Sequence, residues 1–136
     1  MSAHAQSEVQ MVSKILVVDD DPSMRELLAL HLRNAGYEVQ TAEDGIAAGY
    51  RLLSKRPDLI ICDIQMPHLN GFELVAALRA DPGVQDIPVI FLTTATDVEH
   101  RCKALGAAGY LHKPTRADRL LSFIAEKIKG GLVPMV

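Results

Sequence analysis

The chain contains no tryptophan, and aromatic residues make up only 4% of its 136 positions, so its interior has to be built from aliphatic side chains. Cysteine is equally scarce. Cys62 and Cys102 show no CxxC spacing and both fall in apolar surroundings, which marks them as reduced, small core residues rather than a disulfide framework or a thiolate metal site. No apolar run approaches the ~18 residues of a membrane span, and the first dozen residues, MSAHAQSEVQMV, lack the basic start and apolar centre of a signal peptide. An excess of positive charge is missing too. The formal net charge is -3, which gives no electrostatic case for direct contact with nucleic acid or an anionic membrane. Internal repeats and low-complexity segments are absent. The expectation is a cytoplasmic single domain, and 49% hydrophobic residues suffice to give it a core.

What is present is an alternation of strand and helix patterns. Residues 14–18, KILVV, form a β-branched run that ends in three acids, Asp19, Asp20 and Asp21. Pro22 suits the first turn of a helix and Asp21 its cap, with Met24, Leu27, Leu28, His31 and Ala35 at helical spacing and Gly36 as the stop. His31 reads as an edge-of-core histidine, since no second His or Cys shares its face. Tyr37, Val39 and Thr41 alternate with Glu38 and Gln40, the pattern of a short edge strand. Asp44 can cap a helix running to about residue 55, in which Gly49 either costs ~1 kcal/mol relative to Ala or marks close packing. Residues 59–62, LIIC, read as a strand buried on both faces that ends in Asp63, before a loop containing Pro67 and Gly71.

Further on, a helix over 72–80 carries Phe72, Val75, Ala76 and Leu78 inward and ends at Asp81-Pro82-Gly83. A strand over 87–92, with Pro88 at its permissive beginning, ends in the hydroxyls Thr93 and Thr94. Residues 97–105 predict a helix stopped by Gly106, and residues 108–111 a strand ending at Lys113-Pro114. Residues 116–129 predict an amphipathic helix with Leu120, Leu121, Ile124 and Ile128 inward and Lys127 and Lys129 near its negative end. The expected organisation is a flexible tail over 1–12, one domain over 13–129, and a C-terminal tail or linker stub over 130–136.

Strand followed by helix, five times over, implies an α/β protein: a parallel sheet with helices on both faces and right-handed crossovers. All carboxyl ends of such a sheet lie on one edge, so Asp19, Asp20, Asp63, Thr93 and Lys113 converge although they are far apart in sequence. Two negative charges 4 Å apart repel by about 4 kcal/mol at an effective dielectric near 20, and a third makes it worse. Carboxylate, carbonyl and water oxygens suit a hard cation such as Mg²⁺, while a neighbouring Lys and Thr hydroxyl suit a phosphoryl group. A carboxylate can itself be the nucleophile in phosphoryl transfer, giving an acyl phosphate.

Four stretches, VVDDDP at 17–22, CDIQMPHLNG at 62–71, FLTT at 91–94 and GYLHKP at 109–114, together resemble the receiver domain of bacterial response regulators over roughly residues 13–129. The resemblance implies a single doubly wound, flavodoxin-like sheet of five strands in the order 2-1-3-4-5. It implies a switch of two-component phosphorelay signalling, in which Asp63 accepts a phosphoryl group from a histidine kinase or histidine phosphotransfer protein. Mg²⁺ (or Mn²⁺) would be held by Asp20, Asp63 and the backbone carbonyl of Gln65, with Asp19 binding through water. Thr93, the backbone N–H of Thr94 and Lys113 would hold the phosphate, Lys113-Pro114 would be a cis peptide, and Thr93 with Tyr110 would form the switch.

The chain would not be a turnover enzyme. Its output would be an unidentified protein target or output domain, with a weak homodimer as a further partner and no direct nucleic acid or membrane contact. The segment from Thr93 to Lys113 is shorter than is usual in the family, so the fourth loop or its helix is expected to be trimmed. Two other readings stand beside this one: a receiver-like scaffold that signals without phosphorylation, and a haloacid-dehalogenase-type phosphatase using Asp19 and Asp21 as a DxD pair.

Overall fold

The computed structural model describes residues 12–128; the tails expected on either side, and with them Lys129, lie outside the described residues. Five parallel strands form one sheet in the order β2-β1-β3-β4-β5: β1 (Lys14–Val18), β2 (Glu38–Ala42), β3 (Leu59–Cys62), β4 (Val89–Thr93) and β5 (Gly109–His112). The helices α1 (Pro22–Asn34), α2 (Gly45–Ser54), α3 (Gly71–Arg79), α4 (Glu99–Ala104) and α5 (Ala117–Lys127) connect them. The doubly wound sheet and its expected strand order are what is observed. Among the described residues no helix is long and apolar enough to cross a membrane.

Two cores follow from the period-2 alternation of side chains along the strands. Ile15, Val17, Leu59, Ile61, Ile90, Leu92 and Leu111 pack with Leu28, Ala29 and Leu32 of α1 and with Leu120, Ile124 and Ile128 at α5. Their neighbours Leu16, Val18, Ile60, Cys62, Val89 and Phe91 point to the other face, where α2, α3 and α4 supply Ala48, Phe72, Leu74, Val75, Leu78 and Cys102. The central strands are therefore covered on both sides, as the unbroken run LIIC anticipates.

Several boundaries and faces differ from the sequence expectation, each for a local reason. On α1 the buried arc is Leu28, Ala29 and Leu32, while Leu27 is 49% and Leu30 53% exposed. Leucines surround this helix, so the sheet, not the pattern, decides which of them turn inward. On α3 Leu74 is buried and Ala76 exposed, the larger side chain taking the inward place. β4 begins at Val89 because Pro88 has no N–H to give to a ladder, although its carbonyl still accepts from Ile60 N at 3.0 Å. α4 has six residues: Asp97 adopts a left-handed φ of 55° and Val98 makes no side-chain cap, so the helix starts late. β5 is Gly109–His112 rather than 108–111, and α5 runs Ala117–Lys127.

Arginines bind much of the remaining backbone. β2 is an edge strand, and its outward carbonyls are covered by Arg33 of α1 (Nη2 to Val39 O, 3.0 Å) and Arg51 of α2 (Nε to Thr41 O, 2.9 Å). Arg79 ends α3 by donating to Leu105 O, Gln85 O and Ile87 O at 3.0 Å each and to Gly106 O at 3.2 Å, which ties α3 to the segment leading into β4 and to the turn before β5. Gly49, by contrast, holds nothing: a Cβ there would meet no atom within 4 Å. The close-packing alternative fails, and Gly49→Ala is expected to stabilise the fold by about 1 kcal/mol, read as a higher urea midpoint at unchanged m-value.

Candidate phosphoryl-acceptor site

β1 and β3 are hydrogen-bonded neighbours with Val18 opposite Cys62, so the residues that follow, Asp19 and Asp63, leave the sheet side by side at its carboxyl edge. The ladder holds both in place, with Asp63 N donating to Val18 O at 3.0 Å and Asp19 N to Ala42 O at 3.1 Å. On the other side Thr93 pairs with His112, and Lys113 N donates to Thr93 O at 2.8 Å. The Lys113-Pro114 peptide is cis, as the family resemblance implies. From there the Lys113 ammonium reaches Asp19 Oδ2 at 2.9 Å and Asp63 Oδ2 at 3.0 Å.

Asp19 is 2% and Asp63 9% exposed, whereas Asp20 is exposed. Burial raises the pKa of Asp63; the hydrogen bond and charge of Lys113 pull it down and Asp19 pushes it up, and the balance is upward. Burial opposes the charge on Lys113, but its two carboxylate partners outweigh that and raise its pKa, so the ammonium is charged at neutral pH. One oxygen from each of Asp19, Asp20 and Asp63 lies within 4.8 Å of the others. This oxygen-only donor set fits a hard divalent cation, and one ammonium against three carboxylates leaves a deficit of positive charge for such an ion to meet.

The other expected residues are placed less uniformly. Thr93 is fully buried at the end of β4, and its Oγ1 accepts from Ala95 N at 3.0 Å; its hydroxyl hydrogen can serve a second partner. Thr94 follows it and is exposed, as is Gln65, whose N–H donates to Asp63 Oδ1 at 3.3 Å. Tyr110 is half-buried in β5, its ring centroid 5.7 Å from that of exposed His112, and it lines a groove with Val98, His100 and Lys103 rather than the acid cluster. Asp21 accepts from Ser23 N at 3.0 Å as the cap of α1, so the second acid of a DxD pair is engaged in capping. Cys62 lies behind Asp63, with Sγ donating to Asp63 O at 3.1 Å. Burial pushes its thiol pKa far up, Asp63 and Asp19 adding to the effect, as befits an inert core cysteine.

Two supports of the site are not in the sequence reading. Arg25 Nη1 donates to the carbonyl of Asp19 at 2.8 Å. Its position one turn into α1 is the available signal, because helical side chains lean back toward the N-terminus. After Asp63 the chain folds back so closely that Gly71 N donates to Ile64 O at 2.8 Å, and α3 then starts in a capping box formed by Asn70 and Glu73. The spacing Asn70-x-x-Glu73 is its sequence signature.

The family model for the response regulator receiver domain matches residues 15–125. The DNA-binding dual master transcriptional regulator RpaA of Synechocystis is 37% identical over 111 residues, covering 80% of this chain and 46% of that protein. The DNA-binding response regulator MtrA of Mycolicibacterium smegmatis is 36% identical over 121 residues, covering 88% and 52%. The chain therefore spans about half the length of these curated relatives, and the DNA binding in their names belongs to those longer proteins.

Among solved structures, the chemotaxis response regulator CheY4 of Vibrio cholerae superposes with a TM-score of 0.81 at 39% identity, covering 86% of this chain and 99% of that one. The response regulator TrrA of Thermotoga maritima, solved in complex with Mg²⁺ and BeF, gives 0.77 at 34% identity, covering 86% and 100%. Since the family match runs from the second residue of β1 into α5, it takes in all five strands and the whole acid cluster, and the chain belongs to the response regulator receiver domain family.

Proposed function

We propose that the chain is a phosphorylatable signalling switch whose acceptor is Asp63. The observation that carries this reading is the single ammonium of Lys113 bridging two buried carboxylates, with a third carboxylate beside them, at the edge of a parallel sheet. A carboxylate oxygen of Asp63 attacks the phosphorus of a phosphohistidine on a histidine kinase or histidine phosphotransfer protein. The P–N bond breaks, its electron pair leaves with the imidazole nitrogen, which takes up a proton, and the phosphoryl group stays on Asp63 as an acyl phosphate. Asp20, Asp63 and the carbonyl of Gln65 would hold Mg²⁺ or Mn²⁺, with Asp19 acting through water, and the ion would neutralise charge on the carboxylate and phosphoryl oxygens.

Lys113 follows the negative charge outward from the Asp63 carboxylate to the phosphoryl oxygens, keeping Asp19 as its second partner. The Thr93 hydroxyl and the Thr94 N–H hold the other oxygens. Thr93 does so through its hydroxyl hydrogen, which the bond accepted from Ala95 N leaves available, and Tyr110 turns into the space behind it, which alters the β5 surface offered to a downstream target. Incubation with acetyl phosphate and Mg²⁺ is expected to add one hydroxylamine-labile phosphate per chain, seen by intact mass. No incorporation from acetyl phosphate, together with amide spectra unmoved by Mg²⁺ and beryllofluoride, would sink the proposal and leave the phosphate-independent scaffold. Multiple turnover on a small phosphate ester would instead support the phosphatase reading.

A further inference from the structure

Every hydrogen-bonding group of Asp19 is engaged. Its N–H donates to Ala42 O at 3.1 Å, Oδ1 accepts from Asp21 N at 2.9 Å, and Oδ2 accepts from Lys113 Nζ at 2.9 Å. The remaining group is the carbonyl, and it accepts from Arg25 Nη1 at 2.8 Å. That oxygen belongs to the peptide unit joining Asp19 to Asp20. Because the unit is planar, holding its oxygen fixes the plane from which the Asp20 Cα departs. Asp20 is the exposed acid of the cluster, and its side chain starts from the Cα that this peptide plane places.

We infer that Arg25 is a positioning residue for the acid cluster: by clamping the Asp19–Asp20 peptide from α1 it sets the direction of the Asp20 carboxylate and so strengthens divalent-cation binding. The inference rests on the metal role given to that cluster above. Charge alone argues the other way, since a guanidinium near the site repels a cation, so the sign of the effect separates positioning from simple electrostatics. Partners that orient metal ligands from outside typically change affinity by about 10-fold or more when removed.

Arg33 provides the matched control. It sits on the same helix and makes the same kind of bond, Nη2 to Val39 O at 3.0 Å, but at the edge strand away from the acids. Mn²⁺ binding, followed by electron paramagnetic resonance of the free ion, is expected to weaken about 10-fold in Arg25→Met and to recover in part in Arg25→Lys, whose ammonium can also donate to the carbonyl. Arg33→Met is expected to lower the melting temperature yet keep wild-type affinity. Arg25→Gln replaces Arg25→Met if the latter fails to fold, with the same expected direction.

Equal or tighter binding in the Arg25 variant, or an equal loss in Arg33→Met, overturns the inference. A wild-type chain that takes up no Mn²⁺ overturns the metal reading itself, and that failure is recognisable because it precedes any variant.

Discussion

Asp63→Asn is expected to abolish phosphate incorporation from acetyl phosphate and Mg²⁺ while raising the melting temperature of the metal-free protein at neutral pH. The first effect follows from replacing the attacking carboxylate by an amide. The second follows from the environment of the acid. Asp63 is 9% exposed, shares Lys113 with Asp19, and has a pKa raised above its ordinary value of 3.8, chiefly by burial. Protonated Asp63 thus favours the fold: that contribution is complete below the unfolded value and is lost as pH rises through the higher folded value.

At neutral pH the ionised side chain is a net cost, which Asn removes while keeping an oxygen for the Gln65 N–H and leaving Lys113 its bond to Asp19. The stability gap between variant and wild type is expected to close on acidification, once Asp63 is neutral in both states of the wild type. Labelling of the variant at the wild-type level would show that the acceptor lies elsewhere. A variant less stable than wild type at neutral pH would show that Lys113 more than offsets the burial of this charge.

The acids and the lysine could be found from sequence because each stands at or within a residue of the end of a short apolar run, and a run's end is a local signal. Which helical face turns inward was harder to read. α1 carries Leu27, Leu28, Leu30 and Leu32 around much of its circumference, and only the sheet beneath it selects Leu28 and Leu32. The late start of α4 depends on the left-handed Asp97 and the missing side-chain cap at Val98, which no periodicity reports. Arg33 and Arg79 send long side chains to backbone carbonyls well outside their own helices, contacts that leave no pattern in the chain. Thr93 shows a further limit. Its place at a strand end was legible, but residue type states only what a hydroxyl can do, and here its oxygen serves Ala95 N.

Gly71→Ala is expected to destabilise the fold by roughly 3 kcal/mol, the upper range for overpacking, with a shift to a lower urea midpoint. A Cβ at this position would lie 2.3 Å from Asp63 O, 2.9 Å from Ile64 Cα and 3.1 Å from Asp63 C, all of them backbone atoms with no rotamer to escape into. Gly45 is a milder case: its added Cβ would come nearest Leu69 Cδ2 at 2.5 Å, the far end of a side chain that can swing aside, with Leu69 Cβ behind it at 3.0 Å.

Helix propensity alone favours alanine over glycine by about 1 kcal/mol, so Gly49→Ala and Gly71→Ala should have opposite signs despite identical chemistry. The group displaced at Gly71 is the peptide of the proposed acceptor. Relief of the clash has to move residues 63–64, against the Gly71 N to Ile64 O bond of 2.8 Å and the Gln65 N to Asp63 Oδ1 contact of 3.3 Å. Whatever fraction of the variant folds should accordingly label more slowly than wild type, joining a packing defect to a chemical one. If Gly71→Ala proves as stabilising as Gly49→Ala, the loop after Asp63 yields freely, and the tight turn cannot be what aims the carboxylate.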